Sequence, residues 1–371
     1  MRKKLYKWHS YGALIAMLPL FIISLTGSIL VFKVELDTLL MPEKMMVGSD
    51  SPVTRLPLDT LMAKVKIAYQ NHEIGSWEIF DDKQRTDTAY LIKHQSNTWS
   101  KLYLNQYTGE LLSKPVGLSD DLTDWLLDLH FKLLLDTNGM FLGAIVSLLL
   151  LFLGISGLIL YRKFWLNFFT LRFSQAGRIF FSDRHKMVGI SSSPVILILA
   201  FTGAYWNIAE VVHEVSEHII EEPYLINKTL YDQSLSIQKL HDSTKNYIKD
   251  FEATYLLMPY EPEMNITFYG KVASDNPLNS DYSSTITYDK NSGKMLHSQD
   301  VRSANALHVT IDSFRKLHFG HFAGLTSQLI WCLLGLSPLI LAFSGLYLYW
   351  YRNRNKKKFS KLTYRKVISS N

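Results

Sequence analysis

Four long apolar runs constrain this chain more than any other feature of its sequence. They are Tyr11–Phe32, Met140–Tyr161, Val188–Ile208 and Phe322–Tyr351. A run of about 20 apolar residues is long enough to cross a hydrocarbon core of about 30 Å as a helix. Each run therefore predicts a transmembrane helix. Because the first run is long and lacks a small-residue cleavage site, we expect it to remain as a membrane helix and not to be removed as a signal peptide.

Basic residues predict the orientation of these helices. Lys and Arg cluster at three places: Arg2, Lys3, Lys4 and Lys7 before the first run, Arg162, Lys163, Arg172, Arg178, Arg184 and Lys186 between the second and third, and Arg352, Arg354, Lys356, Lys357, Lys358 and Lys361 after the fourth. Basic segments that adjoin membrane helices lie in the cytoplasm. Both termini are therefore predicted to be cytoplasmic and the two long loops to lie outside. Because every basic cluster adjoins a span, the net charge of +6 does not indicate nucleic-acid binding.

These features predict an α-helical membrane protein, a four-helix transmembrane bundle with two outer α+β domains, internally duplicated. The bundle would lie in a lipid bilayer, and the outer domains would be the two long loops. The predicted segments are TM1 (1–32), the first outer domain (33–129), TM2 (130–161), a cytoplasmic loop (162–184), TM3 (185–208), the second outer domain (209–316), TM4 (317–352) and a basic cytoplasmic tail (353–371).

The two outer domains share the same order of predicted elements. An amphipathic helix comes first, at Leu58–Gln70 in one domain and near Ile237–Ile248 in the other. Strand-like runs follow, and each domain then has a glycine-containing turn, at Thr108-Gly109 and at Ser292-Gly293. The predicted strands are Ser76–Phe80, Thr88–Lys93 and Lys101–Asn105, then Ala253–Met258, Asn265–Tyr269 and Thr285–Tyr288.

The spans repeat more closely than the outer domains, because a histidine and a hydroxyl-glycine pair recur at fixed separations. The sets are His9 with Thr26-Gly27 and His185 with Thr202-Gly203, 17 and 18 residues apart, and His130 with Ser156-Gly157 and His318 with Ser344-Gly345, 26 and 27 residues apart. Equal separations in both halves predict that the chain is two copies of a helix–outer domain–helix unit.

Each span thus has one histidine near its start, and the predicted topology sorts them into two levels. His9 and His185 enter from the cytoplasmic side, whereas His130 and His318 enter from the outer side. Side chains on facing helices of a bundle can converge on a cofactor, and two imidazoles supply the axial ligands of a six-coordinate haem iron. Since one haem cannot bridge a core of about 30 Å, this pattern predicts two haems, one near each face.

Several alternatives remain open for these histidines. His321 follows His318 by three residues on nearly the same helical face and is an alternative ligand. Interfacial histidines can also act only as helix caps or headgroup contacts. A zinc site is a weaker alternative, because no carboxylate or thiol accompanies the four histidines.

The cysteine count and the absence of nucleotide motifs narrow the redox chemistry. The single cysteine, Cys332, excludes an intramolecular disulfide, a four-cysteine site and covalent c-type haem, so the expected cofactor is haem b. Neither G-x-G-x-x-G nor a P-loop occurs, so electrons would come from quinol or from another protein. The sequence assigns no catalytic residue. Charged residues beside the outer histidines could contact haem propionates or a substrate: Asp124, Asp128, Lys132, Arg315 and Lys316.

The chain resembles a known family at several of these positions. Spans two and four begin with Leu-His-Phe and end near Ser-Gly-Leu, which is similar to the PepSY-associated transmembrane family. The Tyr-x-Asn-x-x-Thr-Gly-Glu run at Tyr103–Glu110 resembles the end of a PepSY domain, and Tyr288–Lys294 is a looser version. The resemblance extends from Lys7 to about Arg354.

That family includes bacterial inner-membrane proteins linked to iron acquisition, among them di-haem ferric-siderophore reductases. The resemblance implies inner-membrane localisation, periplasmic PepSY-like outer domains and haem ligands at His9, His130, His185 and His318. It favours an oxidoreductase that reduces ferric siderophore iron on the periplasmic side and releases Fe(II). The alternatives are a non-enzymatic, membrane-anchored PepSY module that binds a protein partner, and a haem or metal transporter.

Overall fold

The computed structural model describes residues 1–48, 54–80, 82–163, 177–216 and 224–368, with side chains up to residue 354. Its helices are α1 (Arg2–Leu30), α2 (Lys33–Leu40), α3 (Pro42–Met45), α4 (Leu58–Ala68), α5 (Leu122–Lys132), α6 (Asp136–Leu160), α7 (Gly177–Val215), α8 (Ile237–Tyr247), α9 (Ala306–Phe319), α10 (Gly324–Gly335) and α11 (Ser337–Ile368). Its strands are β1 (His72–Glu78), β2 (Asp87–Lys93), β3 (Trp99–Leu104), β4 (Val116–Gly117), β5 (Glu252–Leu257), β6 (Ile266–Lys271), β7 (Ser284–Tyr288) and β8 (Met295–Gln299). Most of the predicted cytoplasmic loop, with Arg172, lies outside the described residues, as do the side chains of the basic tail beyond Arg354.

Within the described ranges, four helical segments are long and apolar enough to cross a membrane, which confirms the predicted spans. They are α1, α6, α7 and the stretch Gly324–Arg354, which joins α10 to α11. Large apolar side chains such as Ile15, Phe141 and Leu333 project outward from these helices, where lipid would cover them. The buried faces carry small residues, which allow the helix backbones to approach closely.

The predicted starts of TM2 and TM4 differ from the structure. His130 lies near the end of α5, a helix separate from α6, because the backbone turns left-handed at Leu133 and Leu134. His318 likewise lies near the end of α9, which Gly320 terminates at a φ of 73° before α10 begins. Both outer histidines therefore lie on short helices that precede the spans and not on the spans themselves. Hydropathy does not detect the first break, since the residues at it are leucines.

The two outer segments form one sheet, although the sequence predicts two separate units. All eight strands are antiparallel and lie in the order β4-β3-β2-β1-β5-β6-β7-β8. The first strands of the two repeats pair with each other at the centre, with Trp77 opposite Leu256. Each repeat therefore contributes one half of a continuous sheet, and the two halves are joined at equivalent edges.

The two faces of this sheet differ in chemistry. One face packs under α4 and α8, with Leu61, Trp77, Leu256 and Phe268 in one hydrophobic core shared by both repeats. Alternation along the strands sends the neighbouring side chains to the opposite face. That face is polar and includes the aromatic hydroxyls and the lysine of the central strands: Tyr90, Lys101, Tyr103, Tyr255 and Tyr269. Lys101 on this face contacts α5, and Ser280 in the connection between β6 and β7 contacts α9; these two helices carry the outer histidines.

The predicted helices and turns of the outer segments are confirmed to within a few residues. The first predicted helix ends at Ala68 and the second at Tyr247. Both turn glycines adopt positive φ, 70° at Gly109 and 67° at Gly293. In each turn the glycine N–H donates to the carbonyl oxygen four residues earlier, on Asn105 and on Asp289. The turns are therefore equivalent in geometry as well as in position.

Candidate functional site

The two outer histidines face each other across the bundle. The ring centroids of His130 and His318 are 6.3 Å apart and the ring planes are inclined by 60°. Two imidazoles that bind one metal ion from opposite sides at about 2.0 Å have centroids roughly 6 Å apart, since each centroid lies about 1 Å behind its nitrogen. The observed separation therefore fits one metal ion between the rings. A tilt between the planes is compatible with this, because each ring can rotate about its own metal–nitrogen bond.

Each outer imidazole is held from behind by a neighbouring span. His318 Nδ1 lies 2.7 Å from the hydroxyl oxygen of Thr202, and that hydroxyl donates to the Ile198 carbonyl at 2.7 Å. Since the threonine proton is used there, the hydroxyl oxygen accepts from Nδ1–H. This fixes the tautomer in which Nε2 carries a free lone pair, the arrangement typical of a metal-bound histidine.

The other outer histidine has two partners of the same kind. His130 Nδ1 donates to the Ile23 carbonyl oxygen at 2.9 Å and lies 3.2 Å from the Thr26 hydroxyl oxygen. The Thr26 hydroxyl donates to the Ile22 carbonyl at 2.7 Å. The His130 ring therefore takes the same tautomer as His318, with one additional acceptor.

The inner histidines repeat the arrangement with serine in place of threonine. His9 Nδ1 lies 2.7 Å from Ser156 Oγ, and His185 Nδ1 lies 2.8 Å from Ser344 Oγ. Both serines are buried. His9 and His185 are close enough to interact electrostatically. All four repeat-equivalent histidines thus have a hydroxyl oxygen beside Nδ1. In each case a serine or threonine of another helix supplies it.

The glycine beside each hydroxyl lies against the imidazole ring. A Cβ atom at Gly27 would lie 2.6 Å from His130 Cε1, which is too close for any side chain. At Gly157, beside His9, the corresponding distance is 3.7 Å, an ordinary contact. A glycine is therefore sterically required at the first position, whereas the second tolerates a methyl group.

A cavity of about 280 Å³ opens beside the outer histidines, just below the usual range of about 300–1,000 Å³ for small-molecule sites. Its walls are mainly apolar side chains from the spans and from the two histidine helices. Two buried polar atoms in these walls, Ser28 Oγ and Asn207 Oδ1, have no hydrogen-bond partner among the described residues. Apolar walls, two facing imidazoles and two unpaired polar atoms together fit a flat, apolar cofactor with a polar edge, such as haem.

Other candidates from the sequence have different surroundings. His321 Nε2 is 3.0 Å from the Val31 carbonyl oxygen, and His321 does not line the cavity, so its imidazole is used in a contact with α1. Across the described ranges, no group of three or more His, Cys, Asp or Glu side chains is arranged to hold a metal ion.

Of the charged residues that flank the outer histidines, Arg315 alone lines the cavity, and its guanidinium lies 4.3 Å from the centre of the Tyr282 ring. Asp128 and Lys132 form a long ion pair on α5 with 3.9 Å between Oδ1 and Nζ. Lys316 Nζ lies 3.1 Å from Asp281 Oδ2. Arg315 is therefore the cation placed to meet an anionic group in the cavity.

The hydroxyl partners of the histidines are further candidate site residues, which the sequence indicated only indirectly. Thr26, Thr202, Ser156 and Ser344 marked the repeat by their fixed separation from a histidine. Each hydroxyl lies at the opposite level from the histidine that precedes it in its repeat, and it contacts a histidine of another helix at that level. The same signal could have predicted the hydrogen bonds.

Comparison with known proteins agrees with the architecture. No curated protein matches the chain. The family model described as the PepSY-associated TM region matches residues 6–352, which include all four spans and the complete sheet. This confirms the family that the motifs suggested. The chain belongs to the PepSY-associated transmembrane family.

Proposed function

We propose that this protein is a di-haem b oxidoreductase of the bacterial inner membrane that carries electrons to the periplasmic face and reduces ferric siderophore iron there. The observation that carries the proposal is the outer histidine pair. The rings of His130 and His318 are separated by the distance expected for two imidazoles that would hold one metal ion, and Nδ1 of each donates a hydrogen bond to a neighbouring span.

The residues of the chain prepare each imidazole for ligation. The hydroxyl or carbonyl oxygen that accepts from Nδ1–H orients the ring and increases the basicity of Nε2. When bound, haem would supply a one-electron couple at each level, with the potential set by its axial ligands and surroundings. His9 and His185 would hold the inner group, and His130 and His318 the outer one.

One helix connects the two levels. His9 and Thr26 lie 17 residues apart on α1, which is roughly 26 Å along a helix that rises about 1.5 Å per residue. This separation supports a path across the hydrocarbon core with one station near each face. Electrons would enter at the cytoplasmic level from quinol or from a reductase protein.

The outer level supports reduction at the periplasmic face. Arg315 lines the cavity beside the outer pair and could neutralise a carboxylate of the cofactor. The outer segments lie next to this level through α5 and α9 and would help to form the surface that meets the substrate. One-electron reduction would convert Fe(III), which hard oxygen donors hold strongly, to Fe(II), which they hold more weakly.

Proteoliposomes that contain the purified protein provide the test. Quinol is supplied inside, a ferric trihydroxamate chelate is supplied outside, and a ferrous-specific chromogenic chelator traps the product. We expect the wild type to form Fe(II) and the variant with His130→Ala and His318→Ala to form none. The proposed substrate would be contradicted if quinol reduces the haem-loaded protein but no ferric chelate reoxidises it. A colourless protein would contradict the haem assignment and favour a PepSY module that binds a protein partner.

A further inference from the structure

The outer histidines are fixed to the sheet by an aspartate at the same position in both repeats. Asp124 precedes His130 by six residues on α5, and Asp312 precedes His318 by six residues on α9. Six residues correspond to about 9 Å along a helix and about 240° around it. Each carboxylate therefore projects from a different side of its helix than the imidazole does.

The first aspartate binds two lysines. One Asp124 oxygen pairs with Lys101 of β3, and the other lies 3.1 Å from Lys33 Nζ on α2. The side chain of Lys101 is only 5% exposed and that of Asp124 only 13% exposed. Lys101 also pairs with Asp121 at 2.8 Å and Lys33 with Asp37 at 2.6 Å, so Asp124 belongs to a buried network of charges that restrains α5 against β3 and α2.

The second aspartate, Asp312, restrains α9 through hydrogen bonds with a neutral residue. One Asp312 oxygen accepts from the Ser280 backbone N–H at 2.8 Å, and the other accepts from the Ser280 hydroxyl at 2.5 Å. Ser280 is buried and lies in the connection between β6 and β7. Asp124 therefore binds its histidine helix to β3 and α2, and Asp312 binds its histidine helix to the connection between β6 and β7.

We propose that Asp124 and Asp312 are positioning residues that set how closely His130 and His318 face each other, and that they couple the sheet to the outer centre alone. The inference rests on the proposed function only in taking these two histidines as haem ligands. Without the carboxylate contact, α5 or α9 is held less tightly, and its imidazole shifts relative to the opposite imidazole. His9 and His185 lie inside α1 and α7, which are continuous spans, and the residues six positions before them, Lys3 and Ile179, are not carboxylates.

The different partners predict different responses to the same substitution. Asparagine keeps an oxygen that accepts from Ser280, so Asp312→Asn retains the outer centre. Asparagine carries no charge, so Asp124→Asn leaves Lys101 with Asp121 alone and Lys33 with Asp37 alone, loosens α5 and loses the outer centre. Asp312→Leu removes both hydrogen bonds and also loses the outer centre, whereas Ser280→Ala keeps the backbone N–H and has an intermediate effect.

The experiment compares these variants as purified holoproteins by optical and electron paramagnetic resonance spectroscopy and by carbon monoxide binding to the reduced protein. We expect Asp124→Asn and Asp312→Leu to convert one haem per chain from six-coordinate low-spin to a carbon monoxide-binding form. Asp312→Asn should match the wild type. In a chain that lacks His130 and His318, the same substitutions should leave the remaining haem unchanged.

Two surface ion pairs on the same helices provide matched controls. Asp128→Asn removes the long pair on α5, and Asp281→Asn removes the pair with Lys316 on α9. Exposed pairs contribute little, so neither change should alter the spectra. If Asp124→Asn fails to accumulate in the membrane, the Asp312 and Ser280 variants alone test whether these contacts position the outer histidines.

Unchanged spectra and no carbon monoxide binding in Asp312→Leu would overturn the inference, as would equal effects on both haems. A wild type without haem would overturn the proposed function instead, so the two failures are distinguishable.

Discussion

The outer and inner histidine pairs share one set of side-chain contacts but differ in the backbone that supports them. In both pairs, Nδ1 is bonded to a hydroxyl and the ring lies against the next glycine. The inner histidines belong to continuous spans, whereas the outer ones lie near the ends of separate helices bound to the sheet. The same histidine motif is therefore positioned by continuous spans at one level and by helices that contact the outer sheet at the other.

The two outer rings also differ from each other. His130 has two acceptors for its Nδ1 proton, a backbone carbonyl and a threonine, while His318 has the threonine alone. The glycine beside His130 is in tighter contact than the one beside His318. The ring of His130 is therefore restrained mainly by backbone and packing, and that of His318 mainly by one hydroxyl. Substitutions can test these differences one at a time.

The largest effect is expected from Gly27→Ala. The added methyl would lie 2.6 Å from His130 Cε1, so the imidazole or the α1 backbone must move. Overpacking of this kind typically costs about 1–3 kcal/mol, and here the displaced atom belongs to a proposed ligand. We expect one of the two haems to be lost, as measured by haem content per chain. Gly157→Ala is the matched control, since its methyl would lie 3.7 Å from His9, and it should retain both haems.

A smaller effect is expected from Thr202→Val, which removes the acceptor behind His318 while keeping the side-chain shape. Loss of such a contact typically lowers metal affinity by about 10–100-fold. Haem retention during titration with an apo-haem acceptor protein measures the change. Thr26→Val should have a weaker effect, because His130 also donates to the Ile23 carbonyl. Equal losses in the two variants would contradict the difference between the rings.

Acid should weaken the binding of the outer haem before that of the inner haem, because Asp121 immediately precedes α5, the helix that carries His130. Burial raises the pKa of Asp121, but hydrogen bonds and charges from Lys101 and Lys44 outweigh burial and hold the pKa below its usual value. Since the folded pKa is depressed, the stabilisation is complete above the unfolded pKa of about 3.9 and is lost as the pH falls through the folded pKa.

Thermal unfolding of the holoprotein at several pH values, followed by the outer haem spectrum, measures this dependence. The outer signal should be constant from neutral pH to about pH 5 and should weaken below about pH 4. Asp121→Asn should remove this component of the acid sensitivity. Unchanged acid sensitivity in that variant would show that another carboxylate is responsible.

The smallest effect is expected from His321→Ala. The imidazole Nε2 contacts the Val31 carbonyl oxygen, and a single hydrogen bond of this kind contributes about 1 kcal/mol. We expect both haems to remain with unchanged spectra and a slightly lower thermal midpoint. Loss of a haem in this variant would make His321 a ligand and would displace His318 from that role.

Much of the architecture could be predicted from the sequence because it depends on local patterns. Apolar runs predicted the four spans, periodicity predicted the helix at Leu58, and glycines predicted the turns at Gly109 and Gly293. The internal repeat identified four equivalent histidines without any structure. These features are encoded within short windows or by fixed separations.

The remaining features, namely the break after α5, the central strand pairing and strand β8, could not be predicted from local sequence patterns. The break after α5 occurs at Leu133 and Leu134, which are apolar and continue the hydrophobic run although both have positive φ. The central pairing of β1 with β5 joins Trp77 to Leu256, 179 residues apart, so nothing near either strand indicates its partner. Strand β8 was missed because its side chains are largely exposed and its pattern is weak.

Haem content per chain tests the central claim most directly, namely that the four repeat-equivalent histidines hold two haems in two separate pairs. Pyridine haemochrome quantification of the purified protein should give two haems b per chain, both six-coordinate and low-spin. Replacement of His130 and His318 by Ala should leave one, and replacement of His9 and His185 should leave the other, with a different spectrum. A protein without haem, or a paired variant that keeps both haems, would contradict the account.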